Sequence, residues 1–119
     1  MFTKNKRRRI LQKFNGHCAY CGCSISIKTM SVDHLVPKCK GGDGSFENLM
    51  PACLSCNHLK NNDYVSVFRY RVAWASLKVT DLSTYDSMVK AAEKHKFYYE
   101  KYETPKAASS KTFIKTQMI

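Results

Sequence analysis

The chain has 119 residues, with 20 Lys and Arg against 9 Asp and Glu, giving a formal charge of +11, and it carries six cysteines. That length suits one domain with short extensions, and the charge points to a polyanionic partner, DNA or RNA. No stretch approaches the roughly 18 apolar residues of a membrane span, and the basic start lacks the apolar core of a secretory signal, so an intracellular protein with reduced thiols is expected.

Residues 3–14 read as a basic helix. Thr3 can cap it, Ile10, Leu11 and Phe14 give it an apolar edge, and Gly16 can end it. Lys4, Lys6, Arg7, Arg8 and Arg9 are expected in the open, free to contact phosphates. Residues 17–30 hold a first cysteine pair and an irregular hairpin. Met30 to Val36 reads as a short strand, with Val32, His34 and Val36 pointing one way and Ser31, Asp33 and Leu35 the other. Pro37 ends it, and the glycines at 41, 42 and 44 make a loop. Phe46 to Pro51 leads back into a second cysteine pair. A helix begins near Ser55 or Cys56 and runs to about residue 62.

The run from Tyr64 to Trp74 fits a helix through Tyr64, Phe68, Val72 and Ala75, but it also alternates like a strand. Helix is favoured because Asp63 can cap it and the run is long. Residues 81–102 read as one helix, capped by Asp81 or Ser83, whose apolar face (Leu82, Tyr85, Val89, Ala92, Tyr99) suits core packing or a dimer contact. From Thr104 the chain turns polar and lysine-bearing, as a flexible basic tail does. The expected organisation is a basic arm at 1–15, a central domain at 16–62, a helical extension at 63–103 and a tail at 104–119.

The cysteines carry the first chemical signal. Cys18-x-x-Cys21 and Cys53-x-x-Cys56 are two turns that each present two thiolates, together the tetrahedral set that zinc prefers. Four cysteine ligands leave no open position, so this zinc is structural. A segment so poor in large aliphatics needs such a staple, worth on the order of 10 kcal/mol in isolated fingers. Cys23 and Cys39 are left over, as free thiols or a small apolar filler.

Between and just after these pairs stand Asp33-His34, Asn48 and Asn57. A carboxylate and an amide are hard donors for Mg²⁺ or Mn²⁺, and an imidazole exchanges protons near neutral pH. One carboxylate, one amide and one imidazole suit metal-assisted hydrolysis. As strand neighbours, Asp33 and His34 face opposite ways, so a bend is needed if both serve one site.

The ordered pieces Cys18-x-x-Cys21, Val32-Asp33-His34-Leu35-Val36-Pro37, Gly41-Gly42, Glu47-Asn48-Leu49 and Cys53-x-x-Cys56-Asn57-x-x-Lys60 resemble the HNH nucleases over about residues 17–61. Asn57 stands where the family often has His, making an H-N-N variant with an endonuclease VII-like site. The resemblance implies a small α+β fold, a zinc-stapled ββα-metal (His-Me finger) core with flanking helices. It implies a DNA endonuclease that leaves 5′-phosphate and 3′-hydroxyl ends. His34 would be the general base, Asp33 and Asn57 would hold one Mg²⁺ or Mn²⁺, and Asn48 would aim His34. His58 could replace Asn57 as the ligand if the helix were rotated by one residue, and Asn61 would share the face of Asn57. Lys60 is assigned to phosphate binding or to packing its stem, and the basic N-terminus to phosphate contacts. A bacterial cytoplasm is the expected setting, with either a bacterial or a phage source, with DNA as partner and a second copy or a phage packaging or recombination protein as a further one.

Two other readings remain open on sequence. A structure-selective, junction-resolving nuclease would be favoured by a dimer that prefers branched DNA. A non-catalytic zinc-ribbon module would bind DNA without metal-dependent cleavage.

Overall fold

The structure is a computed structural model and describes residues 2–75 and 85–102. Helix α1 (Lys4–Gln12) starts where the Thr3 hydroxyl accepts from the Lys6 backbone N–H at 3.1 Å, the side-chain cap that satisfies a free helix-end donor. After the first cysteine turn come β1 (Ser31–His34) and β2 (Leu49–Ala52), then α2 (Leu54–Lys60), α3 (Val65–Ala75), α4 (Tyr85–Lys94) and α5 (Tyr98–Lys101). The small α+β fold expected from the sequence is present, built on a two-stranded antiparallel sheet.

Ser31 pairs with Ala52, Val32 with Pro51, Asp33 with Met50 and His34 with Leu49. Side chains alternate across such a ladder, and here both faces are covered. Val32 and Leu49 pack with Ile10 of α1 and Met30. Leu35, Met50 and Ala52 pack on the other side with Cys18, Tyr20, Cys56, Phe68 and Phe97. A lone hairpin is marginal in water, so these two layers and the cysteine frame hold it.

Helix α1 is docked on the hairpin. Ile10 is fully buried, and Lys13 Nζ donates to the carbonyls of Phe46 and Leu49 at 2.8 and 2.7 Å. Burial lowers the Lys13 pKa, with Glu47 opposing.

The helix expected at residues 64–75 forms as α3. The single helix expected over 81–102 is interrupted: α4 stops at Lys94 and α5 starts at Tyr98. Phe97, extended at φ −77°, ψ 162°, turns its ring into the core, where it stacks on Phe68 at 4.8 Å. The next backbone N–H groups, of Tyr98 and Tyr99, donate to the carbonyls of Tyr20 and Ala19 at 3.0 and 2.7 Å. A continuous helix would lose that burial and both bonds. Arg69 of α3 clamps the Glu100 carboxylate at 2.6 and 2.8 Å. The caps expected at Asp81 and Ser83, and the tail at 104–119, lie outside the described residues. No described helix is long and apolar enough to cross a membrane.

Candidate active site

The two cysteine turns converge. The sulfurs of Cys18, Cys21, Cys53 and Cys56 all lie within 4.8 Å of one another. Cys53 caps α2, its sulfur accepting from the Cys56 N–H at 3.4 Å, and Cys18 Sγ accepts from the Tyr20 N–H at the same distance. The hydrogen bond from Cys56 draws the Cys18 thiol down to about 4 and, in return, pushes the Cys56 thiol up. Four such sulfurs cannot ionise together without a cation, and a tetrahedral soft-donor cluster fits Zn²⁺. Cys23 and Cys39 stay outside this cluster. Gly22 closes the first turn at φ +82°, and a Cβ there would stand 2.7 Å from the Tyr98 ring, so α5 presses directly on the turn.

Asp33 points into the core, as the strand alternation requires, and is 6% exposed. Its Oδ2 accepts from the Tyr20 hydroxyl and lies 3.1 Å from Lys60 Nζ. Burial first, then the Asp33 charge, push the Tyr20 pKa well up, so its hydroxyl remains a donor. Lys60 is fully buried and also donates to the His34 carbonyl at 2.9 Å. The expectation that Lys60 contacts phosphate therefore does not hold. Its ammonium sits behind the strand, where a buried carboxylate and a carbonyl satisfy it. Replacing Lys60 with Met keeps much of the stem but leaves a buried carboxylate without its cation. A loss of about 3–5 kcal/mol is expected, read as a shift in the denaturant midpoint of the zinc-loaded protein, with partial recovery in Asp33→Asn/Lys60→Met.

His34 leaves the opposite face of β1. Its ring is half-exposed, 6.3 Å from that of Phe2. Strand β1 ends at this residue, and Asn48 holds the chain that follows. Asn48 Oδ1 accepts from the Val36 N–H at 2.9 Å, Nδ2 donates to the carbonyls of Val36 and Asp43 at 3.1 and 2.8 Å, and the Asn48 carbonyl accepts from Leu35 N–H at 2.8 Å. Gly42 is packed so closely that a Cβ would stand 1.7 Å from the Val36 carbonyl oxygen. An open groove of about 290 Å³ lies along this loop, between Val36, Gly41, Asp43, Ser45 and Asn48. Asn48→Ala frees the strand end without opening a core cavity. A reaction that relies on the His34 ring is expected to slow by up to about 10²-fold, the scale of a misplaced reacting group, with the loss in kcat.

Asn57 is half-buried in α2, which the Cys53 and Cys56 sulfurs draw towards β1. Its neighbour His58 is exposed. Asn61 ends the helix at φ +56°, so it caps the helix and does not continue the Asn57 face. Asp33 thus faces the α2 side of β1, where Lys60 meets it, and His34 leaves the other face as the last residue of the strand, with the chain bending directly after it at Leu35 and Val36. Asp33 has one carboxylate oxygen engaged. Oδ1 takes no partner among the described residues, and that free oxygen with an amide suits a hard divalent cation.

The basic N-terminus is divided. Lys4, Arg8 and Arg9 are exposed. Arg7, expected in the open, donates to the carbonyls of Ile27 and Met30 at 3.1 and 3.3 Å. Lys6 lies over the Phe2 ring at 5.4 Å. Tyr20 was not singled out by sequence: its neighbours mark a metal turn, but nothing local tells that its hydroxyl reaches Asp33.

Residues 18–63 match the family model for HNH endonucleases. A stretch of 57 residues is 39% identical to CRISPR-associated endonuclease Cas9 of Corynebacterium diphtheriae, covering 47% of this chain and 5% of that one. A stretch of 52 residues is 36% identical to CRISPR-associated endonuclease Cas9 of Actinomyces naeslundii, covering 43% and 5%. The matched stretch is thus a small fraction of the length of these relatives. The fold is similar to part of the crystal structure of the Type II-C Cas9 enzyme from Actinomyces naeslundii, with a TM-score of 0.51 and 24% identity over 76% of this chain and 12% of that one. That last likeness is one of fold.

Proposed function

We propose that the HNH endonuclease segment at residues 18–63 makes this chain a metal-dependent DNA endonuclease, which hydrolyses phosphodiesters to 5′-phosphate and 3′-hydroxyl ends. The observation that carries the reading is the Asn48 clamp on the chain leaving His34, within the segment that matches the family. His34, a ring on a held strand end and half-open to solvent, would take a proton from an attacking water. Asp33, through Oδ1, and Asn57 would hold one Mg²⁺ or Mn²⁺, which when bound offsets charge on the phosphate and the leaving 3′ oxygen. Lys60 of α2 engages both the Asp33 carboxylate and the His34 carbonyl, so one ammonium holds the helix to the strand at both residues. The exposed Lys4, Arg8 and Arg9 supply phosphate contacts, which position DNA and specify no sequence.

The reading is tested with zinc-loaded protein, end-labelled duplex DNA and added Mg²⁺ or Mn²⁺. Fragments that a DNA ligase rejoins without prior phosphorylation carry the expected ends. Fragments with 3′-phosphates, or DNA bound and left whole, contradict it.

A further inference from the structure

Tyr20 belongs at once to the cysteine frame and to the Asp33 site. It lies between Cys18 and Cys21, and its backbone N–H donates to Cys18 Sγ at 3.4 Å. Its carbonyl accepts from the Tyr98 N–H at 3.0 Å. Its ring is 3% exposed and meets Phe68 and Phe97 edge-on at 5.2 and 5.4 Å. With backbone and ring both held, the hydroxyl has one place to go, and there it donates to Asp33 Oδ2. Lys60 Nζ engages the same oxygen at 3.1 Å, while Oδ1 takes no partner among the described residues. One side of the carboxylate is fixed and the other is left as a donor. Groups that hold a metal ligand in this way set its direction, and removing them typically costs about 10–100-fold in metal affinity.

We propose that Tyr20 is a positioning residue that couples the cysteine frame to the divalent-cation site, holding Asp33 Oδ2 so that Oδ1 is presented as a fixed ligand. This rests on the reading of Asp33 as a ligand of that cation. Ordering of the Cys18–Cys21 turn by zinc fixes Tyr20, and Tyr20 fixes Asp33, so the structural staple and the reaction share one hydrogen bond.

The test is Mn²⁺ affinity of the zinc-loaded protein without DNA, from the spin-resonance signal of free Mn²⁺, for the parent, Tyr20→Phe and Asp33→Asn. Tyr20→Phe keeps the ring and its packing. It is expected to retain one zinc and to bind Mn²⁺ about tenfold or more weakly, with kcat for cleavage reduced and KM for DNA unchanged. Parental Mn²⁺ affinity in Tyr20→Phe, with Asp33→Asn weakened, overturns the role of Tyr20 alone. Unchanged affinity in Asp33→Asn, or no saturable Mn²⁺ binding in the parent, removes Asp33 as the ligand and the coupling with it. If Tyr20→Phe fails to hold zinc, the Tyr20 hydroxyl proton of the parent is followed by nuclear magnetic resonance. A shift on Mg²⁺ addition supports the coupling, and an invariant signal overturns it.

Discussion

Withdrawal of zinc, by a strong chelator or by Cys56→Ser, is expected to unfold the chain's central core. Cys18 and Cys56 are buried in the same cluster as Tyr20, Met50, Phe68 and Phe97, so the sulfurs are part of the core. The strands they support form a two-stranded sheet, which is marginal on its own. Apparent zinc binding of about 10–16 kcal/mol in isolated fingers is comparable to the whole stability of a small domain, about 5–15 kcal/mol. Without the cation, four sulfurs crowd within 4.8 Å of one another with no positive charge between them. Far-ultraviolet circular dichroism, followed during chelation with a colorimetric zinc readout, should show loss of helix in step with zinc release. A zinc-free protein that melts like the zinc-loaded one would contradict a structural role for the frame.

The second large effect is on the reaction. His34→Ala is expected to slow cleavage by about 10²–10⁴-fold, the usual contribution of a positioned proton acceptor. The fold should remain, because the ring is half-exposed and the pairing of His34 with Leu49 is made by the backbone. Zinc content and melting temperature are the controls, and DNA affinity should stay near that of the parent. Lys60→Met behaves in the opposite way, since it breaks a buried ion pair and its first effect is on stability. These two substitutions separate a group that does chemistry from one that holds the site.

Much of the fold could be read locally. The paired cysteines declare a metal turn through spacing alone, and the four sulfurs do meet. The α1 start follows from Thr3, and the alternation of residues 31–36 assigned Asp33 and Leu35 to one face and Val32 to the other, as the two core layers show. The break before Phe97 was hidden, because the 81–102 pattern is helical and only the distant turn at Ala19 and Tyr20 rewards the interruption. Lys60 was misread for a similar reason. A lysine near a helix end looks solvated until a carboxylate far away in sequence is brought to it. Arg7 and Lys13 likewise belong to a basic run by composition, yet carbonyls at the ends of other segments take their donors. Local sequence thus offers Asp33, His34, Asn48 and Asn57 as the candidate chemistry. The network that holds it, Tyr20 to Asp33 to Lys60 to the His34 carbonyl, depends on tertiary contacts.

The most direct measurement is the fate of supercoiled plasmid incubated with zinc-loaded protein, with and without added Mg²⁺ or Mn²⁺. Omission of the second cation is preferable to a chelator, which would also strip the frame. The account predicts conversion to open-circular or linear DNA only when the cation is present. Plasmid that is bound yet stays supercoiled with either ion, together with linear and branched DNA that is bound and left whole, would contradict an endonuclease and leave a zinc-stapled binding module.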